Sequence, residues 1–151
     1  SDYYNVSLIS GGAGLVSTAL DYARFAEMLR RGGTLDGARI LGPKSIAFMT
    51  KNHLSEPSMH AAWEQIPTPD IGRPGFGFGL GFGVVTDATA IGILGSDGEY
   101  NWGGAAGTIF WVDPTEELVV VSLIQLMQSP WPLRADVKVA VYQALTETYE
   151  K

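Results

Sequence analysis

Few residues in this chain are placed to do chemistry, and their spacing rules out most of the usual arrangements. The two histidines, His53 and His60, fall outside His-Glu-x-x-His and any comparable metal-binding spacing. Both are expected to be solvated or hydrogen-bonded loop residues. Cysteine is absent, which removes disulfides and thiolate zinc sites. No Gly-x-Ser-x-Gly occurs, so the strained turn that exposes a serine in α/β-hydrolases is missing. No serine is followed three positions later by lysine. Glu116 and Glu117 lie in a turn-forming stretch, where a solvated pair is expected and not a general acid–base couple. Tyr3-Tyr4-Asn5 is a Tyr-x-Asn, a pattern too short to carry weight alone. The glycine-rich stretch 75–83 has no Gly-x-Gly-x-x-Gly and no strand–turn–helix context, so phosphate binding is not expected there.

The elements that must position any site follow from periodicity. A helix is expected from Thr18 to Arg31. Thr18 and Asp21 have capping-box spacing, and Tyr22, Phe25, Ala26 and Leu29 supply the apolar stripe. Gly32 and Gly33 end it, since glycine accepts the left-handed conformation found past helix ends. Pro43 suits the first turn of a second helix, with Ile46, Phe48 and Met49 apolar before Asn52. Residues 54–75 hold Pro57, Pro67, Pro69 and Pro74 and read as a long surface loop, a candidate substrate-side flap. From Gly75 the pattern turns to period two. Phe76, Phe78, Leu80 and Phe82 alternate with glycines, which on one strand would put every large side chain on a single face. Three more strands are expected at Ile91–Leu94, Ala105–Val112 and Leu118–Met127, the last two joined by a turn at Asp113–Glu117. Leu133, Val137, Val141, Ala144 and Leu145 then mark a helix ending near Tyr149. Two helices, a loop, an antiparallel meander and a covering helix make an α+β arrangement.

The totals bound what such a domain can do. With 151 residues and 46% hydrophobic content, one domain can bury roughly 70% of its unfolded surface. The net charge of −6 is scattered, which argues against a nucleic-acid partner, because phosphate binding needs a clustered basic face. No apolar run reaches the roughly 20 residues needed to span a bilayer, so no membrane partner is expected. The first residues lack the basic start and apolar stretch of a signal peptide. A soluble protein is the expectation; no compartment is assigned by the sequence, with the cytoplasm favoured over others.

Four stretches form an ordered set. They are Gly11-Gly12-Ala13-Gly14-Leu15-Val16-Ser17-Thr18-Ala19 through Arg24-Phe25; Gly77-Phe78-Gly79-Leu80-Gly81-Phe82; Asn101-Trp102-Gly103-Gly104-Ala105-Ala106-Gly107-Thr108; and Phe110-Trp111-Val112-Asp113-Pro114. As a set, from about Gly11 to the terminal helix, they resemble the class C β-lactamase-like superfamily, most closely the family VIII carboxylesterases. The resemblance implies the C-terminal part of the β-lactamase and penicillin-binding-protein transpeptidase-like fold. It also implies three catalytic motifs: Ser-x-x-Lys with the nucleophile, Tyr-x-Asn with a proton-transferring tyrosine, and Lys-Thr-Gly or Trp-Gly-Gly on a strand beside the nucleophile. The first two precede the matched region. Tyr3 lies only a few residues before the Gly11–Gly14 turn, too close to be the family's tyrosine, and that turn itself is expected simply to feed the helix cap.

Trp102-Gly103-Gly104 matches the third motif, and these three are the expected substrate-binding residues. Glycine there removes side chains that would keep substrate from the strand backbone. By resemblance, Ala105 offers its backbone N–H as one oxyanion-hole donor, the other being the serine's own N–H. Trp102 stands where the related enzymes often carry lysine, so a cationic anchor for a substrate carboxylate is lost and neutral esters are favoured. The implied function is hydrolysis of small carboxylic esters through an acyl-serine intermediate, without cofactor or metal. The 151 residues alone would be inactive, and their partner would be the N-terminal half of the same enzyme, as a second chain or a missing segment. Two alternatives remain open. One is a non-catalytic module binding a peptide, glycan or protein partner through the old cleft, with strand edges open to strand addition. The other is part of a β-lactamase or D-amino-acid peptidase.

Overall fold

A computed structural model of the chain describes residues 15–55, 73–127 and 129–149. The loop residues Pro57, Trp63, Pro67 and Pro69, His60, the Gly11–Gly14 turn and Tyr3-Tyr4-Asn5 lie outside them. Helix α1 runs Ala19–Arg30. Thr18 caps it: its hydroxyl accepts the Asp21 N–H at 3.1 Å and donates to the Asp21 carboxylate at 2.8 Å. Gly32 (φ 66°) and Gly33 (φ 94°) take the left-handed conformation and close the helix onto Leu29 and Met28 carbonyls. A two-stranded hairpin follows, β1 (Thr34–Leu35) and β2 (Ala38–Arg39). Asp36-Gly37 turns it with positive φ at both residues, the chemistry that short hairpin turns require. Helix α2 spans Pro43–Met49 with proline in its first turn.

The centre is a five-stranded antiparallel sheet in sequential order: β3 (Phe76–Phe78), β4 (Gly83–Val85), β5 (Tyr100–Gly103), β6 (Ile109–Asp113) and β7 (Leu118–Ser122). One face carries Val84, Tyr100, Phe110 and Val112, packed with Phe82 beneath Ala26, Met28 and Leu29 of α1 and Ile46 of α2. By strand alternation Val85, Glu99, Trp111 and Asp113 point to the other face. There Phe76, Val85 and Ala88 form a second cluster, and helix α4 (Leu133–Tyr142) lies over Trp111, whose ring stacks on Tyr142 at 6.4 Å. The α+β meander with covering helices is therefore the observed architecture.

Several boundaries differ from expectation. The period-two stretch is a hairpin, not one strand: Phe76 pairs with Val85 and Phe78 with Gly83. The chain reverses at Gly79–Phe82, where Gly79 N–H donates to Phe82 O at 2.7 Å. Reversal sends Phe76 to one core cluster and Phe82 to the other, while Leu80 at the tip is exposed. The strand expected at Ile91–Leu94 is the end of a one-turn helix, α3 (Ala88–Ile91), whose Asp87 side chain accepts the Ala90 N–H at 2.8 Å. The strand expected from Ala105 starts only at Ile109, because residues 104–108 form the turn between β5 and β6, and β7 stops at Ser122, before Met127. Helix α4 ends at Tyr142, seven residues early. Its last turn tightens to bonds from Ala144 to Val141 and from Leu145 to Tyr142, and Tyr149 N–H reaches back to the Glu116 carboxylate at 3.1 Å.

Candidate active site

Trp102, Gly103, Gly104 and Ala105 fall at one place, the end of β5 and the start of its turn into β6. Trp102 pairs with Phe110 across the ladder. Trp102 is 36% exposed and its ring meets Phe78 edge-on at 5.0 Å, so it both packs and faces outward. Gly104 N–H donates to Thr108 O (2.9 Å) and Gly107 N–H to Gly104 O (3.0 Å), which closes a tight loop with Gly107 at φ 84°. Ala105 is exposed on this loop, and among the described residues nothing accepts its N–H.

The two glycines also leave room for groups of the protein itself. A Cβ on Gly103 would sit 2.8 Å from the Arg134 guanidinium carbon and 2.8 Å from Thr108 O; one on Gly104 would sit 2.6 Å from Thr108 Oγ1. The space freed by the missing side chains is filled by the protein's own groups. Arg134, half-buried near the start of α4, donates through one nitrogen to Gly104 O at 2.6 Å and to Thr108 O at 3.4 Å. Behind the turn, Leu126 N–H bonds Ala106 O at 2.9 Å, and Ile124 fills the space a Gly107 side chain would need.

At the other end of β5 lies a buried polar cluster that sequence reasoning missed. Glu99 and Asp113 are fully buried. Lys138 Nζ lies 2.5 Å from Glu99 Oε1, and the Tyr142 hydroxyl lies 2.9 Å from Glu99 Oε2 and 2.7 Å from Asp113 Oδ2. Asp113 also accepts the Thr115 and Glu116 N–H groups, at 3.0 and 3.1 Å. Burial pushes the Glu99 carboxyl up, and the Lys138 ammonium and Tyr142 hydroxyl oppose that shift. Tyr142 is pushed up by burial first, then by the neighbouring Glu99 charge. A signal was present: Arg134, Lys138 and Tyr142 recur every four residues, one polar stripe on α4 beside the apolar one.

His53 does no more than expected of a loop histidine: its Nε2 contacts Phe48 O at 2.7 Å and its ring packs on Phe48 at 4.5 Å. Among the described residues no three His, Asp or Glu side chains converge as metal ligands, and no helix is long and apolar enough to cross a membrane.

Comparison with known proteins bears on the family and the fold. A family profile described as beta-lactamase matches residues 1–144. An uncharacterised protein of Mycobacterium tuberculosis is 40% identical over 125 residues, covering 79% of this chain and 29% of the relative. The chain thus spans under a third of the length of that curated relative. Among solved structures, EstCE1, a hydrolase with promiscuous acyltransferase activity, superposes with a TM-score of 0.69 at 32% identity, over 88% of this chain and 32% of its own. Simvastatin synthase LovD from Aspergillus terreus reaches 0.74 at 21% identity, over 97% of this chain and 39% of its own, a likeness of fold alone.

Proposed function

The chain belongs to the beta-lactamase family, and on that premise we propose that it is the C-terminal segment of a serine esterase, closest to the family VIII carboxylesterases. In this reading the nucleophilic serine, its lysine and the proton-transferring tyrosine lie on polypeptide outside these 151 residues. Serine Oγ attacks the ester carbonyl, the tetrahedral oxyanion forms, the alcohol leaves, and water then hydrolyses the acyl-serine. This chain contributes the Ala105 N–H as one of two oxyanion donors, with Trp102, Gly103 and Gly104 lining the site. Losing one such donor costs about 10²–10³ in rate.

The observation that carries the proposal is the Ala105 peptide. It sits on an exposed turn with its N–H open, while the carbonyl of the same peptide is fixed from behind by Gly107 and Arg134. A donor held in advance and left open is what stabilises charge as it develops, since no reorganisation is needed in the transition state. Trp102 supports neutral substrates: a partly exposed indole offers an apolar surface where a lysine would bind a carboxylate. The hydrolase character of EstCE1 agrees with this choice. The test is pre-steady-state hydrolysis of p-nitrophenyl butyrate by the longer protein containing this segment. A burst of nitrophenol near one equivalent, followed by slower turnover, is expected. Hydrolysis of nitrocefin with higher kcat/KM than the ester would instead favour a β-lactamase.

A further inference from the structure

Gly104 O and Ala105 N–H belong to one peptide group. A trans amide is planar, so its N–H points away from its carbonyl, and whatever holds the oxygen fixes the direction of the hydrogen. Gly104 O has two lone pairs, and both are used: one by Gly107 N–H at 3.0 Å, from within the turn, and one by Arg134 at 2.6 Å, from α4. The Arg134 contact is short and charge-assisted, the stronger kind of hydrogen bond. The same nitrogen also leans on Thr108 O, which receives Gly104 N–H. The guanidinium therefore rests on the peptides at both edges of the turn, in the space left by the absent Gly103 side chain.

We propose that Arg134 is a positioning residue for the oxyanion hole: its guanidinium orients the Gly104–Ala105 peptide and strengthens the Ala105 N–H as a donor. This rests on the esterase reading above. The strengthening follows from polarisation. A cation on the carbonyl draws density toward oxygen and leaves the amide hydrogen more positive, as along any hydrogen-bonded chain. Arg134 never touches substrate in this account; it acts through the peptide. Lysine would not serve as well, because a compact ammonium on a flexible stem does not fill the space beside Gly103 that the planar guanidinium occupies. The interaction also gives α4 a catalytic task, since the residue that holds the turn is fixed by a helix whose next two turns are anchored through Lys138 and Tyr142.

The test uses the longer protein in wild-type, Arg134→Ala and Arg134→Lys forms. With p-nitrophenyl butyrate, Arg134→Ala is expected to lower kcat by about 10- to 100-fold, less than full loss of a donor, with KM within about twofold. Arg134→Lys is expected to recover part of kcat, and millimolar methylguanidinium to recover part of it in Arg134→Ala. Amide exchange at residues 104–107 should quicken in Arg134→Ala. Unchanged kcat overturns the inference. So does a kcat loss that methylguanidinium does not relieve and that tracks a fall in Tm, because Arg134 would then be structural only. Wild-type protein without ester turnover, with exchange still answering to Arg134, would sink the esterase reading and the catalytic part of this inference, while the hold on the turn would stand.

Discussion

At the scale of single residues, the proposed site rests on one peptide group, Gly104–Ala105, whose carbonyl is held by Gly107 and Arg134. Trp102, Gly103 and Gly104 were legible as a motif through the family resemblance, which matches them to its third motif. The role of the glycines was not, because nothing local says that a guanidinium 31 residues later will occupy the space at Gly103. This gives a sharp expectation for Gly103→Ala. The new methyl would meet the Arg134 guanidinium and Thr108 O at 2.8 Å, so the arginine must withdraw. We expect a loss of about 1–3 kcal/mol in urea unfolding, the usual cost of overpacking. We also expect kcat to fall as in Arg134→Ala. A variant with full stability and wild-type kcat would mean that the contact is dispensable.

At the scale of elements, the site is strand β5 held at both ends by one helix. Arg134 grips the turn after it; Lys138 and Tyr142 grip Glu99 just before it. Glu99 and Lys138 form a buried pair, with side chains 0% and 13% exposed. Removing one member of such a pair leaves the other charge uncompensated. Glu99→Leu is therefore expected to destabilise by ~3–5 kcal/mol, and Glu99→Leu with Lys138→Met to recover much of that loss. Denaturant melts of the two variants decide it; an equal loss in both would assign the effect to packing and not to charge. Helix starts and caps were readable, as Thr18, Gly32 and Pro43 illustrate, because capping is local chemistry. The hairpin at Phe76–Val85 was not. Its alternation of large apolar residues with glycine runs unbroken through the turn, and the reversal shows only in the antiparallel pairing, the Gly79–Phe82 hydrogen bond and the positive φ of Gly81. The Asp36-Gly37 hairpin did carry a sequence signal, but its strands are two residues each and leave no periodicity to find.

At the scale of the whole molecule, ionisable groups outside the β5–β6 turn set how stability answers pH. Helix α1 is tied to the β6–β7 turn through Arg30, which bonds Glu27 at 2.7 Å and Glu117 at 3.4 Å. The Arg30 hydrogen bond, assisted by Arg31 against the cost of burial, holds the Glu27 carboxyl down to about 2, well below its ordinary 4.5. A depressed carboxyl contributes stability that is complete above 4.5 and lost as pH falls through about 2. Glu99 has the opposite sign: its raised carboxyl favours the fold most below 4.5, and that contribution fades as pH rises through its folded value. Glu27→Gln should therefore flatten the acid limb of stability between pH 4.5 and 2, seen as a smaller change in urea midpoint across that window; an unchanged slope would remove Glu27 from the account.

The central claim is that these residues supply an oxyanion donor but no nucleophile, and hydrolysis of p-nitrophenyl butyrate tests it most directly. The 151-residue chain alone should show no turnover above buffer, and the longer protein should show a burst followed by steady hydrolysis. Burst hydrolysis by the 151 residues on their own would contradict the account.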